Sequence, residues 1–135
     1  MTYRELMTLA ENARLHSYSP YSNFSVGAAL LCSDGTVYTG CNIENSSFSP
    51  TVCAERVAVF KAISEGRRDF TAIAVVGGPQ GKILDRCAPC GVCRQVLSEF
   101  CEENFVVLLG NSEKFKEHKL GKLLPFAFSE SDVNG

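Results

Sequence analysis

An α/β domain, in which helices cover a mixed sheet, is the fold class the sequence predicts, on three observations. Segments of helical and of strand character alternate along the chain in the order α-β-β-α-β-α-β. Hydrophobic residues make up 45% of the sequence, enough for a substantial core. No repeat, low-complexity tract or long linker divides the 135 residues, so 1–135 reads as a single domain.

Taken in order, residues 3–17 carry Leu6, Leu9, Ala10 and Ala13 at helical spacing, which predicts a first amphipathic helix. Val26–Leu31 and Val37–Cys41 flank Ser33-Asp34-Gly35-Thr36, the pattern of a β-hairpin. Ser49-Pro50-Thr51 precedes a helix over Cys53–Glu65 that Gly66 ends. Ala72–Val76 reads as a buried strand stopped by Gly77-Gly78-Pro79. Pro89 opens another helix, running to about Cys101. Phe105–Leu109 is again strand-like and is stopped by Gly110-Asn111. A strand over 113–118 stays open because that stretch is strongly charged. The tail carries Leu123, Leu124 and Phe126 among polar residues.

The net charge of −2 leaves no basic face for a phosphate backbone, which argues against a nucleic-acid partner and for a small uncharged substrate. Arg4, Glu5 and Glu11 interrupt the apolar stretch that an export signal needs. No apolar run approaches the roughly 18 residues of a membrane span. Seven cysteines, an odd number without framework spacing, point to reduced thiols and a cytoplasmic location.

The chemistry concentrates in Cys53-Ala54-Glu55 and Pro89-Cys90-Gly91-Val92-Cys93. Cys90 and Cys93, three apart at a helix start, present two thiols on one side, and Cys53 at another helix start offers a third. Unpaired backbone N–H groups at helix starts favour thiolates over thiols. Three protein ligands leave the fourth position of a zinc tetrahedron open, as in catalytic rather than structural sites. One zinc ion per chain is therefore expected on Cys53, Cys90 and Cys93. Glu55, two residues from a ligand, is placed to handle protons rather than to bind metal. This is the layout of zinc nucleobase deaminases, with cysteine in place of histidine as first ligand. Three thiolates leave the zinc ion net negative, which weakens it as a Lewis acid. Arg56, three residues beyond Cys53 on the same helical face, can donate hydrogen bonds to the sulfurs and offset that charge.

With these motifs in view, the chain resembles the small homo-oligomeric cytidine deaminases that act on free nucleosides. The resemblance runs through nearly the whole length. It includes Tyr18-Ser19-Pro20-Tyr21-Ser22-Asn23-Phe24, Val26-Gly27-Ala28-Ala29-Leu30, Asn42-Ile43-Glu44-Asn45, both zinc motifs and Leu123-Leu124-Pro125-Phe126-Ala127-Phe128. It implies a three-layer α/β/α fold. It also implies conversion of cytidine or 2′-deoxycytidine to uridine or 2′-deoxyuridine plus ammonia, within pyrimidine salvage. Asn42 and Glu44 match positions that hydrogen-bond the ribose, and Phe24 one that packs beside the base. Ala54 joins the substrate contacts. Phe128 matches a position that reaches a neighbouring subunit's base, so a homotetramer with shared sites is expected. In the implied reaction Glu55 carries protons from water to ring N3 and then to the departing amine. Two departures stand out: Phe48 occupies a position where the family usually has tyrosine, and Cys87 falls near enough to Cys90 and Cys93 to be a candidate fourth ligand.

Other readings compete. Cys32, Cys41 and Cys101 read as small core residues, and His16 and His118 lack any partner spacing. A deaminase of another aminopyrimidine, such as the antibiotic blasticidin, shares the zinc motifs, but Asn42 and Glu44 favour a ribose-bearing substrate. A structural zinc module closed by Cys87 lacks the second Cys-x-x-Cys knuckle that such sites use. A thiol redox protein would leave Cys53, Glu55 and Arg56 without a role.

Overall fold

The computed structural model describes residues 1–134. Helix α1 (Tyr3–Arg14) is followed by strands β1 (Phe24–Cys32) and β2 (Val37–Cys41), helix α2 (Ala54–Ser64), strand β3 (Phe70–Pro79) and helix α3 (Gly91–Phe100). Strands β4 (Val106–Gly110) and β5 (Phe115–Lys119) and two short helices, α4 (Leu120–Leu123) and α5 (Glu130–Asn134), complete the order. The strands form one mixed sheet in the order β2-β1-β3-β4-β5, in which only β3 and β4 run parallel.

The period-two alternation of side chains divides the core into two layers of packing. Ala28, Leu30, Ile73, Val75, Val107 and Leu109 face α2 and α3, meeting Ala58, Val59, Ala62 and Leu97. The intervening Ala29, Ala72, Ala74, Val76, Val106 and Leu108 face α1, meeting Leu6, Met7 and Ala10. Both faces of the central strands are covered, which is why β3 and β4 read as unbroken apolar runs. The result is the expected three-layer α/β/α arrangement.

Glycine sets how closely the layers approach. A Cβ on Gly27 would collide with the Ala10 carbonyl oxygen of α1. One on Gly40 would collide with the Ala54 carbonyl oxygen at the start of α2. The start of α2, and Cys53 with it, is thereby held against the edge hairpin.

Several boundaries differ from expectation. The first helix ends at Arg14, not 17, because Tyr18 is drawn into a bridge with Ile43. There the Tyr18 amide donates to the Asn42 carbonyl at 3.1 Å and the Glu44 amide to the Tyr18 carbonyl at 2.8 Å. Strand β3 runs through Gly77-Gly78-Pro79 instead of stopping there. Those residues pair with Val26, Ser25 and Phe24 of a β1 that starts earlier than expected. Pro79 closes the ladder at the last pair, where a missing N–H costs least. The charged stretch near 113–118 does form a strand, β5, at the sheet edge beside β4, where most of its side chains can stay in solvent. Both ligand-bearing helices begin one residue after a cysteine, with Cys53 and Cys90 as the extended N-cap residues.

Candidate metal centre and substrate site

Cys53 and Cys90 are 37 positions apart in sequence, yet the sheet brings their helix starts together. The Cys53 and Cys90 sulfurs are 3.7 Å apart and those of Cys90 and Cys93 3.5 Å apart. All three sulfurs lie within 4.8 Å of one another. Sulfurs about 2.3 Å from a tetrahedral zinc ion stand ~3.8 Å apart, so this donor set fits zinc. Its soft, all-thiolate character also suits that metal. Among the described residues this trio is the only such group of potential ligands, and Cys87 lies outside it. The Cys87 sulfur packs instead where a side chain on Gly77 would stand.

The protons of the thiol cluster are unevenly held. The hydrogen bond from Cys93, with Arg56 and Cys90 adding to it, brings the Cys53 thiol down to about 5. Cys93 is pushed strongly up as the donor to Cys53 and by burial, so Cys53 ionises first. Arg56 Nη2 donates to Cys53 Sγ at 3.5 Å, as the spacing of three residues predicts. Its Nε is buried without a hydrogen-bond partner.

Glu55 occupies the first turn of α2 and is only 4% exposed. Burial, with the neighbouring Cys53 charge adding to it, raises its carboxyl to about 7. A carboxyl poised near neutrality can both take and give a proton at the same pH.

Asn42 and Glu44 stand one bridge away from Cys53, because the Ile43 amide donates to the Val52 carbonyl at 3.0 Å and the reverse bond is also 3.0 Å. The Asn42 amide is locked by the frame. Its Nδ2 donates to the Phe24 carbonyl at 2.8 Å, and its Oδ1 accepts from the Val26 amide at 2.9 Å and from the Ser17 hydroxyl. With both Oδ1 lone pairs engaged, its remaining free group is one Nδ2 hydrogen. The Glu44 carboxylate accepts from the Ser22 hydroxyl, and from the Ser22 and Tyr21 amides at 3.1 and 3.0 Å; the hydroxyl first and the amides after it hold the carboxyl below its ordinary pKa. Half-buried Phe24 opens β1, where the Ser22 hydroxyl accepts from its amide at 3.1 Å. Fully buried Ala54 begins α2 between Cys53 and Glu55.

Cys53, Cys90, Cys93, Glu55 and Arg56 therefore converge, and Phe24, Asn42 and Glu44 form an adjoining set. Phe128 belongs to neither. It lies in the tail, 62% exposed, tied to α3 by Gln95 Nε2 donating to its carbonyl at 2.8 Å. Phe48 is 81% exposed in the loop before Cys53. The supporting roles of Ser17, Ser22 and Arg94 escaped the sequence reading. Arg94 Nε donates to the Pro89 carbonyl at 2.7 Å and so fixes the residue before Cys90. An arginine just after the Cys-x-x-Cys pair was the visible signal for it, but its acceptor is main chain and leaves no sequence pattern.

The chain is similar to known proteins over nearly its whole length. Residues 1–109 match the family described as the cytidine and deoxycytidylate deaminase zinc-binding region. The chain is 50% identical over 135 residues to a cytidine deaminase of Sporosarcina psychrophila, covering 99% of this chain and 96% of that one. It is 49% identical to a cytidine deaminase of Halalkalibacterium halodurans, covering 99% of both. It is similar in structure to a cytidine deaminase of Burkholderia pseudomallei, with a TM-score of 0.86 and 46% identity over 95% of this chain and 100% of that one.

Proposed function

The chain belongs to the cytidine and deoxycytidylate deaminase zinc-binding family, and from that premise we propose that it hydrolyses cytidine and 2′-deoxycytidine to uridine and 2′-deoxyuridine plus ammonia. The observation that carries this reading is the buried Glu55 beside three converging thiols. When bound to Cys53, Cys90 and Cys93, zinc supplies a Lewis acid that makes water nucleophilic near neutral pH.

The chain's own residues do the rest. Glu55 accepts a proton from the attacking water and transfers it to ring N3 of cytosine. It then takes the remaining proton from the hydroxyl now on C4 and gives it to the amino group as the C4–N bond breaks and the C4 carbonyl forms. One carboxyl serves each transfer because burial holds its pKa near the working pH. Arg56 offsets the charge of the thiolates and so keeps the metal electron-poor. The ring packs beside Phe24, and Ala54 bounds the site at the start of α2. The free Nδ2 hydrogen of Asn42 and the carboxylate of Glu44 meet the sugar hydroxyls. Because Glu44 is preset by three bonds to residues 21–22, it binds without reorganising.

Phe128 is too exposed to complete the site within one chain, and we assign it to a neighbour's site in a homotetramer. Phe48, also exposed, lies in a loop that such an assembly would cover. Among the described residues no helix is long and apolar enough to cross a membrane. Work in a reducing cytoplasm, as part of pyrimidine salvage, suits a site built from free thiols.

The test is to incubate the purified protein with cytidine and follow the absorbance change to uridine, with blasticidin as a competitor. Turnover of cytidine that the antibiotic barely inhibits is expected. No turnover of cytidine, or preference for the antibiotic, overturns the assignment.

A further inference from the structure

Arg14, in the last turn of α1, is only 9% exposed and makes no ion pair among the described residues. Its guanidinium is spent on main-chain carbonyls. Nε donates to the Ser25 carbonyl at 2.8 Å. Nη2 lies 3.1 Å from the Gly78 carbonyl oxygen, 2.7 Å from that of Pro79 and 2.7 Å from that of Lys82, so its two hydrogens are shared among three acceptors. Burying a guanidinium without a carboxylate is costly, and the charge-assisted bonds to four carbonyl dipoles offset that cost.

The four carbonyls come from two places that matter to the metal centre. Ser25 follows Phe24 in β1. Residues 78–82 are the end of β3 and the turn that starts the connection to α3. Further along that connection the Leu84 amide donates to the Gly77 carbonyl at 2.9 Å, and Cys87 packs on Gly77. At its far end Arg94 holds the Pro89 carbonyl, next to Cys90. Cys53 stands on the side of the hairpin β1–β2, whereas Cys90 and Cys93 arrive through this connection. The two halves must meet with sulfurs 3.7 Å apart.

We propose that Arg14 is a positioning residue for the metal centre, fixing the outlet of β3 against β1 and so setting where Cys90 and Cys93 stand relative to Cys53. The assignment rests on the zinc reading above. Only a planar fork reaches acceptors on both strands at once; a lysine ammonium on a flexible stem can hold one side but not set the angle between them. Gly27, which lets α1 lie directly on β1, brings the fork to these carbonyls.

The test compares zinc-loaded Arg14→Lys and Arg14→Gln with the parent and with Met7→Val, a core change in the same helix that touches neither β1–β3 carbonyl set. Zinc loss to a chelator and the sulfur-to-cobalt absorption bands of the cobalt-substituted proteins are measured where circular dichroism shows each protein folded. Direct partners of metal ligands are typically worth about 10–100-fold in metal affinity. Arg14 acts at one remove, through the connection, so both Arg14 variants should release zinc about tenfold faster, the low end of that range, and show altered cobalt bands. Met7→Val should match the parent. Unchanged release and bands in folded Arg14→Lys overturn the assignment, as does equal loss in Met7→Val. Failure of both Arg14 variants to fold where Met7→Val folds makes Arg14 a folding residue only and overturns it too. A parent without sulfur-to-cobalt bands overturns the zinc reading itself, and this assignment with it.

Discussion

Arg56 Nη2 stands 3.5 Å from Cys53 Sγ, one helical turn beyond the cysteine that caps the same helix. The contact places a fixed positive charge on the ligand that ionises first, and it raises the Arg56 pKa in return. The three-cysteine cluster thus has a counter-charge on the helix that also bears the buried carboxyl of Glu55.

Arg56→Gln removes that charge while keeping a hydrogen-bond donor. The remaining negative field should raise the pKa of the metal's water and move the acidic limb of the kcat/KM pH profile upward by about one unit. An unchanged profile with full zinc content would reduce Arg56 to a packing role.

Glu55→Gln should keep zinc and fold but lose turnover. General acid–base groups contribute about 10²–10⁴-fold, and this carboxyl serves several transfers, so a loss of at least that size is expected. Steady-state rates with cytidine decide it, and activity within tenfold of the parent would require another base.

The same substitution should have a stability signature in metal-free protein. Burial raises Glu55 from its ordinary 4.5 to about 7. Below pH 4.5 the carboxyl is protonated in both folded and unfolded chains and costs nothing. Between 4.5 and 7 only the unfolded chain ionises, so the fold loses stability as pH rises, by about 3 kcal/mol once the pH exceeds 7. Glu55→Gln should therefore stabilise the metal-free protein against urea at pH 8 and hardly at all at pH 4. An equal effect at both values would show that the carboxyl is not strained by burial.

Glu44→Ala should cost cytidine about 10–100-fold in kcat/KM, the worth of one or two charge-assisted hydrogen bonds. Free cytosine, already a very poor substrate because it leaves the sugar-binding groups unpaired, should lose far less. Parallel losses on both would detach Glu44 from the sugar.

Phe128→Ala and Glu55→Gln chains, each nearly inactive alone, should regain activity when dissociated and reassembled together. A mixed interface can then pair an intact Glu55 with a neighbour's intact Phe128. Sedimentation should show a particle of about four chains. A fully active monomer would remove the shared site.

Much of this protein was legible in its sequence, and the reason is local. Cys90 and Cys93, or Cys53, Glu55 and Arg56, lie within one or two turns of a single helix, where spacing fixes which side chains meet. The apolar runs of β3 and β4 likewise announced strands buried on both faces. Tertiary structure decided what local spacing cannot. Sheet order brought Cys53 to Cys90, pairing with Phe24–Val26 carried β3 through its glycines, and an edge position let charged Phe115–Lys119 form a strand. Cys87, three residues from Cys90 and so a plausible ligand by spacing, was turned onto Gly77 by the path of its connection. Arg14 and Arg94 meet only main-chain carbonyls, and every residue, proline included, offers the same carbonyl. Sequence records which side chains a protein has, but a side chain that binds backbone acquires its partner only when the chain has folded around it.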